Sequence, residues 1–190
     1  APLAEVRWDS LKLITQRTTV GGGDMDLIEL LKKRRSVREF VDKSIPKEDL
    51  EKIIDTGRFA PTARNAQPWE FVVVANKETL KKIAGITEHG KFIASAGAGV
   101  LVFSQDTKYF LEDCSAATQN VMLAAEALGI ASCWVAGDKK PYAGEFNLLL
   151  GVPINYKLVS IIALGYPLAD KVFRIVGKRE LSEVLHWEKF

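Results

Sequence analysis

Apolar residues in Asp26-Leu27-Ile28-Glu29-Leu30-Leu31 recur at helical intervals, so the sequence predicts a first helix running into the basic stretch Lys32-Lys33-Arg34-Arg35. Pro46-Lys47-Glu48-Asp49-Leu50 predicts the start of a second helix. Proline and acidic residues suit a first helical turn, Leu50, Ile53 and Ile54 supply a buried face, and Gly57 releases the helix. The apolar run from Phe71 to Ala75 reads as a strand, Lys77 to Ala84 as a helix, and Gly99 to Phe103 as a second strand. The longest helical signal runs from Phe110 to Leu128. Its Ala116, Ala117, Val121, Ala124, Ala125 and Leu128 make a small-residue stripe that lets another helix approach closely, and Gly129 breaks it. Ala131 to Val135 and Leu158 to Leu164 are further strands, and between them a short helix from Glu145 to Leu150 ends at Gly151 and Pro153.

This order predicts an α+β fold, a mixed α/β layer in which helices cover at least one face of a central sheet and the helix near residues 110–128 lies in the core. No repeat is evident. Gly21-Gly22-Gly23 has no strand before it and Gly97-Ala98-Gly99 is not a dinucleotide fingerprint, so a glycine-rich phosphate loop is absent. Residues 1–24 differ in character from the rest of the chain and end in a glycine run just before Met25. They are expected to be a leader or expression-derived extension ahead of a domain spanning 25–190, or else a genuine extension whose Trp8, Leu11 and Leu13 pack on the domain or a partner.

A chain of 190 residues with 47% hydrophobic composition can bury a substantial core as one domain. Its 26 basic and 24 acidic residues leave a net charge of +2, too small to point to nucleic acid without a concentrated basic face. Cys114 and Cys133 lack the spacing of a redox pair or metal knuckle, and His89 and His186 cannot supply a conventional metal cluster, so reduced buried thiols and no metal are expected. With no long apolar span and no signal core, a cytoplasmic protein without a membrane partner is the favoured expectation.

Two segments carry chemistry. Arg34-Arg35-Ser36-Val37-Arg38 sets three guanidinium groups and a hydroxyl within five residues, a compact clamp for phosphate, with a solvated helix end or a polyanion patch as the plainer readings. Pro61-Thr62-Ala63-Arg64-Asn65-Ala66-Gln67-Pro68-Trp69 is a polar loop leading into the first strand. As a capped turn it needs only Asn65 and Gln67 to satisfy loop carbonyls, while Trp69 packs in the core.

These segments resemble the FMN-dependent nitroreductase family. The resemblance continues through Leu111-Glu112-Asp113-Cys114-Ser115-Ala116-Ala117-Thr118-Gln119-Asn120, Gly129-Ile130-Ala131-Ser132-Cys133-Trp134, Ile161-Ile162-Ala163-Leu164-Gly165-Tyr166-Pro167 and Gly177-Lys178-Arg179, covering nearly all the chain after Asp24. It implies that Arg34, Arg35, Ser36 and Arg38 contact the ribityl phosphate and pyrimidine end of FMN, with Lys178 and Arg179 closing on the phosphate and Lys171 and Arg174 as nearby substitutes. It places Pro61, Thr62, Ala63 and Asn65 beside the ring system with Gln67 orienting the loop, and it brings this loop to the flavin of the other subunit of a homodimer. It sets the backbone amide of Gly137 near flavin N5, where the alternative is a simple Gly137-Asp138 turn.

The activity implied is ping-pong hydride transfer: NADH or NADPH reduces FMN and leaves, and a small planar acceptor such as a nitroaromatic or quinone then takes its place, with no side-chain nucleophile or catalytic acid needed. Short connections after Lys91 and Gly137 leave the pocket's selectivity open, and Phe59, Tyr109, Phe110, Tyr142 and Phe146 are pocket candidates that serve equally well as packing. An FMN-binding module without efficient turnover is the nearest alternative. A nucleic-acid adaptor is a more distant one. The two aromatics of His186-Trp187-Glu188-Lys189-Phe190 are expected to dock on one subunit or the other.

Overall fold

A computed structural model describes residues 19–20, 23–24, 27–168 and 177–190. The expected boundary at Met25, with Trp8, Leu11 and Leu13 before it and Lys171 and Arg174 near the tail, lies outside the described residues. Short strands β1 (Thr19–Val20) and β2 (Gly23–Asp24) pair antiparallel. The main sheet has β3 (Trp69–Val74), β4 (Ala98–Ser104), β5 (Ala131–Ala136) and β6 (Lys157–Gly165), in the antiparallel order β3-β4-β6-β5. Helices are α1 (Leu27–Lys33), α2 (Lys47–Gly57), α3 (Lys77–Ile86), α4 (Phe110–Ala127) and α5 (Ala143–Leu150).

Helices cover both faces of this sheet. On one face, α2 and α4 pack Leu50, Ile53, Ala117, Val121 and Ala125 against Val100, Val102 and Ile162. On the other, α3 and α5 set Leu80, Ile83 and Phe146 against Leu101, Phe103 and Ile161. Central strands with both faces covered must be apolar at successive positions, which is why β4 and β6 read as continuous hydrophobic runs whereas edge strand β3 is only partly buried. The predicted elements all form, and the main difference concerns Gly57. It is the last residue of α2, and a Cβ there would stand 2.7 Å from Val121 Cγ2, so the glycine sets how closely α2 approaches the small-residue stripe of α4. Helix ends follow local chemistry: Asn76 accepts the Thr79 N–H at 3.0 Å at the start of α3, and Gly129 and Gly151 take φ of 70° and 67° after α4 and α5.

Both cysteines are free and buried. Burial pushes the Cys114 thiol up to about 11, with a Ser104 hydrogen bond opposing the shift and the Asp113 charge adding to it. The unfolded chain ionises this thiol near its ordinary value of 9.0, so between there and 11 the unfolded state binds fewer protons and stability falls as pH rises. The unfolding free energy is expected to be insensitive to this group at neutral pH and to fall above pH 9, by about 2 kcal/mol at pH 11. Urea titrations across that range check it, and Cys114→Ala is expected to flatten the alkaline limb.

Candidate functional site

Helix α1 ends at Lys33, and the Arg35 guanidinium turns back over its last carbonyls, donating from Nη1 to Lys32 O at 2.5 Å and to Arg34 O at 2.9 Å. This C-terminal capping occupies part of the guanidinium that the family resemblance gives to phosphate. The chain then runs extended beside β5. Ser36 stands opposite Ser132, Val37 donates its N–H to Ser132 O at 2.9 Å, and Phe40 bridges to Pro167. Extended backbone alternates its faces, so Val37 enters the core while Ser36 and Arg38 stay exposed.

Charges and a hydroxyl of this segment act on the Cys133 thiol. Its burial pushes the thiol up, while the Arg38 charge, a Ser36 hydrogen bond and the Arg34 charge draw it down. Behind them on α4, burial raises the Glu126 carboxyl, and the Lys33, Arg34 and Arg35 charges oppose that rise. Arg34 Nη1 is buried without a hydrogen-bond partner, so a charged donor at this site has capacity left for an anion. Beyond Arg38 lies a cavity of about 190 Å³ walled by Phe92, Trp134 and Tyr142, with Arg38, His89 and Lys140 supplying the polar groups. The Arg38 guanidinium sits 5.8 Å from the Phe92 ring centroid.

Gly137 corrects one expectation. Its N–H donates to Val159 O at 3.1 Å, and the Asp138 N–H reaches the same oxygen at 3.2 Å. The Gly137 amide is therefore committed to β6. Antiparallel pairs alternate in bonding direction, so with residue 137 bonded toward β6 the N–H of Ala136 points away from it, across the edge of β5, and Ala136 lines the cavity. The donor available at this strand end belongs to Ala136. Gly137 contributes a close approach instead, since a Cβ there would meet Leu158 Cγ at 2.5 Å.

The second predicted segment is a separate cluster. Thr62 is extended, Ala63–Asn65 make a 3₁₀ turn, and Arg64, Asn65 and Gln67 take φ of 56°, 54° and 46°. Gln67 orients the loop, donating its N–H to Thr62 Oγ1 at 3.3 Å and Nε2 to Asn65 Oδ1 at 3.0 Å. Asp113 on α4 accepts the Ala63 N–H at 3.1 Å. Pro61, Asn65 and Gln67 are exposed and Thr62 and Ala63 half-buried, while Trp69 is buried as expected. A cavity of about 220 Å³ runs past Ala63, Arg64, Thr107, Lys108, Tyr109 and Asp113.

The two cavities share no lining residue, so a single chain does not bring the arginine segment and the loop into one cavity. Lys178 and Arg179 are exposed and line neither. A larger groove of about 440 Å³ beside α2 and Val73 contains none of the expected site residues. Of the aromatic candidates, Tyr142 lines the first cavity and Tyr109 the second, whereas Phe146 is buried in the core and Phe59 is exposed. Sequence reasoning missed Ala136, Phe92 and Lys140, whose part in the cavity depends on strand register and tertiary position.

The model of the Nitroreductase family matches residues 31–107 and 96–166. The chain belongs to the nitroreductase family. It is 36% identical over 172 residues to an Archaeoglobus fulgidus protein provisionally named NADH dehydrogenase/NAD(P)H nitroreductase, covering 87% of this chain and 99% of that relative. Among solved structures, this nitroreductase-family fold is similar to an FMN-dependent nitroreductase of Clostridium difficile (TM-score 0.79, 29% identity, 86% of this chain and 99% of that one). It is also similar to a nitroreductase with bound FMN from Bacteroides fragilis (TM-score 0.71, 28% identity, 86% and 100% covered). Iodotyrosine deiodinases are more distant relatives, the Thermotoga neapolitana protein being 28% identical over 167 residues, with 74% of this chain and 88% of that relative covered. Family membership and the named relatives make the chain an NAD(P)H-dependent oxidoreductase of the nitroreductase type.

Proposed function

We propose that the protein holds FMN at the open edge of β5 and moves hydride from NADH or NADPH to a small planar acceptor, a nitroaromatic or a quinone, in two successive half-reactions. The observation that carries this reading is the aromatic-walled cavity lined by Arg38, Lys140 and Ala136, with Ser36 and the partnerless Arg34 Nη1 on the segment that leads to Arg38. Cationic donors, a hydroxyl, a free amide and flat apolar walls fit a phosphorylated ring system. When bound, FMN supplies the hydride chemistry.

The chain's own groups bind and orient. Arg34 and Ser36 would hold the phosphate by charge-assisted and neutral hydrogen bonds, and Arg38 would supply a fixed positive charge beside the ring system. The Ala136 N–H would offer the ring system a backbone hydrogen-bond donor. Phe92, Trp134 and Tyr142 exclude water beside the ring. Lys178 and Arg179 close on the phosphate in the assembled protein.

A homodimer completes the site, with Pro61, Thr62, Ala63 and Asn65 of one subunit facing the flavin held by the other. Support comes from the separation of the two cavities and from apolar side chains that one chain leaves exposed, Leu27 at 66%, Leu181 at 69% and Trp187 at 79%. Among the described residues the tail aromatics find no docking site on their own subunit, with Phe190 fully exposed, which favours the partner as their surface.

Initial rates with NADH and a quinone both varied test the reading. Parallel double-reciprocal lines are expected. Bound FMN with no rate for any nitroaromatic or quinone would favour the binding-module alternative, and intersecting lines would reject two separate half-reactions.

A further inference from the structure

The loop of residues 61–68 is shaped from within and held from outside. Within it, the Asn65 N–H donates to Thr62 O and the Ala66 N–H to Ala63 O, each at 3.2 Å, while Gln67 bonds Thr62 and Asn65. These bonds fix curvature, and none reaches the rest of the molecule. At the exit, Pro68 O accepts the Gln105 N–H at 3.1 Å. Between Thr62 and Gln67, the hydrogen bond to another part of the described structure is the one from the Ala63 N–H to Asp113 Oδ1, 3.1 Å long.

Asp113 is an unusual residue for that position. An aspartate in a helix's first turn needs only to face solvent to favour the dipole. This one is 6% exposed, and its Oδ2 is buried without a partner. A buried carboxylate is costly to desolvate, so packing alone does not account for it. The loop it holds is strained as well, with Arg64, Asn65 and Gln67 all in the left-handed region that favours glycine. Such a turn keeps one placement only if something rigid fixes it, and α4 is packed against both α2 and the sheet.

We propose that Asp113 is the positioning residue of this loop. By accepting the Ala63 N–H from the first turn of α4, it sets where Thr62 and Asn65 stand against the flavin, and so sets FMN affinity through the loop. The inference rests on the flavin reading above.

Three variants test it, with FMN affinity read by fluorescence titration. Asp113→Ala removes the acceptor and is expected to raise the FMN Kd at least tenfold. Asp113→Asn keeps Oδ1 as acceptor and is expected to stay within threefold of wild type. Ala63→Pro removes the donor. Thr62, at φ −136° and ψ 152°, already has the backbone required before proline, and the first residue of a 3₁₀ turn accommodates it. Its Kd is expected to rise like that of Asp113→Ala, and combining the two should add nothing, because both remove one bond. A merely structural role would produce neither rescue by asparagine nor this non-additivity.

Wild-type affinity in Asp113→Ala, equal losses in the alanine and asparagine variants, or additive losses in the double variant would overturn the proposal. If Asp113→Ala fails to fold, the other two decide: wild-type affinity with asparagine and weakened binding with Ala63→Pro support it, and any other pair overturns it. Amide exchange separates this proposal from the flavin reading. Should the wild type bind no FMN, the flavin reading falls, while at least tenfold faster exchange of the Ala63 amide in Asp113→Ala, with the Val121 amide unchanged, would still establish the anchor. Equal Ala63 exchange in that variant and the wild type would remove it.

Discussion

Arg34→Ala is expected to raise the FMN dissociation constant about 10- to 150-fold, the equivalent of about 1.5–3 kcal/mol for a hydrogen bond to a charged group. The reason is specific to this arginine. Its Nη1 is buried without a hydrogen-bond partner, so phosphate would supply the bond that this donor lacks. Arg35, one residue on, donates to Lys32 O and Arg34 O at the end of α1. Arg35→Ala should therefore lower the melting temperature through loss of a helix cap while changing FMN affinity less than threefold. Titration of both variants at one salt concentration separates the roles. Equal losses of affinity would mean that residues 34–38 act as a diffuse positive patch, contradicting the assignment of Arg34.

Gly137→Ala is expected to be the most disruptive single methyl group near the site. The added Cβ would lie 2.5 Å from Leu158 Cγ and 3.1 Å from the Val159 backbone carbon, and Leu158 is 2% exposed. Neither neighbour can yield cheaply, because one is fixed in the core and the other is ladder backbone. Overpacking of this kind costs about 3 kcal/mol and lowers the melting temperature by roughly 6–12 °C for a domain of this size. The same displacement moves Ala136, so the rate of hydride acceptance should fall even where folding persists. Gly144 supplies the control. It lies in α5 with nothing within 4 Å of the place a methyl group would take, and Gly144→Ala is expected to leave the melting temperature unchanged or raise it. Calorimetry of the two variants checks the contrast, and a Gly137→Ala protein as stable as wild type would refute the packing account.

Much of this fold is legible because its signals are local. Alternation of faces, the alanine stripe of α4 and the breaks at Gly129 and Gly151 depend on residues a few positions apart, and the structure places the elements where those signals do. The basic segment Arg34-Arg35-Ser36-Val37-Arg38 is equally local, which is why its place after α1 could be read directly. Its division of labour could not be read. Arg34 and Arg35 are the same residue type, and only the direction of the chain after Lys33 turns one toward the carbonyls of α1 and leaves the other with a spare donor.

Other features are hidden because they depend on contacts far apart in sequence. Whether Ala136 or Gly137 presents a free amide is decided by the bond between Gly137 and Val159, a fact of strand register that no periodicity encodes. Asp113 reads as an ordinary first-turn acid until its bond to Ala63, 50 positions away, is seen. Gly57 reads as a helix stop, and its real constraint is Val121 on the opposing helix.

The most direct test of the central claim is an anaerobic visible spectrum of the purified protein with FMN, recorded before and after NADH or NADPH is added. The proposal expects a protein-bound flavin band that bleaches on addition of the nicotinamide and returns when a quinone or nitroaromatic is supplied. A protein that retains no flavin, or a bound band that neither nucleotide bleaches, would contradict it.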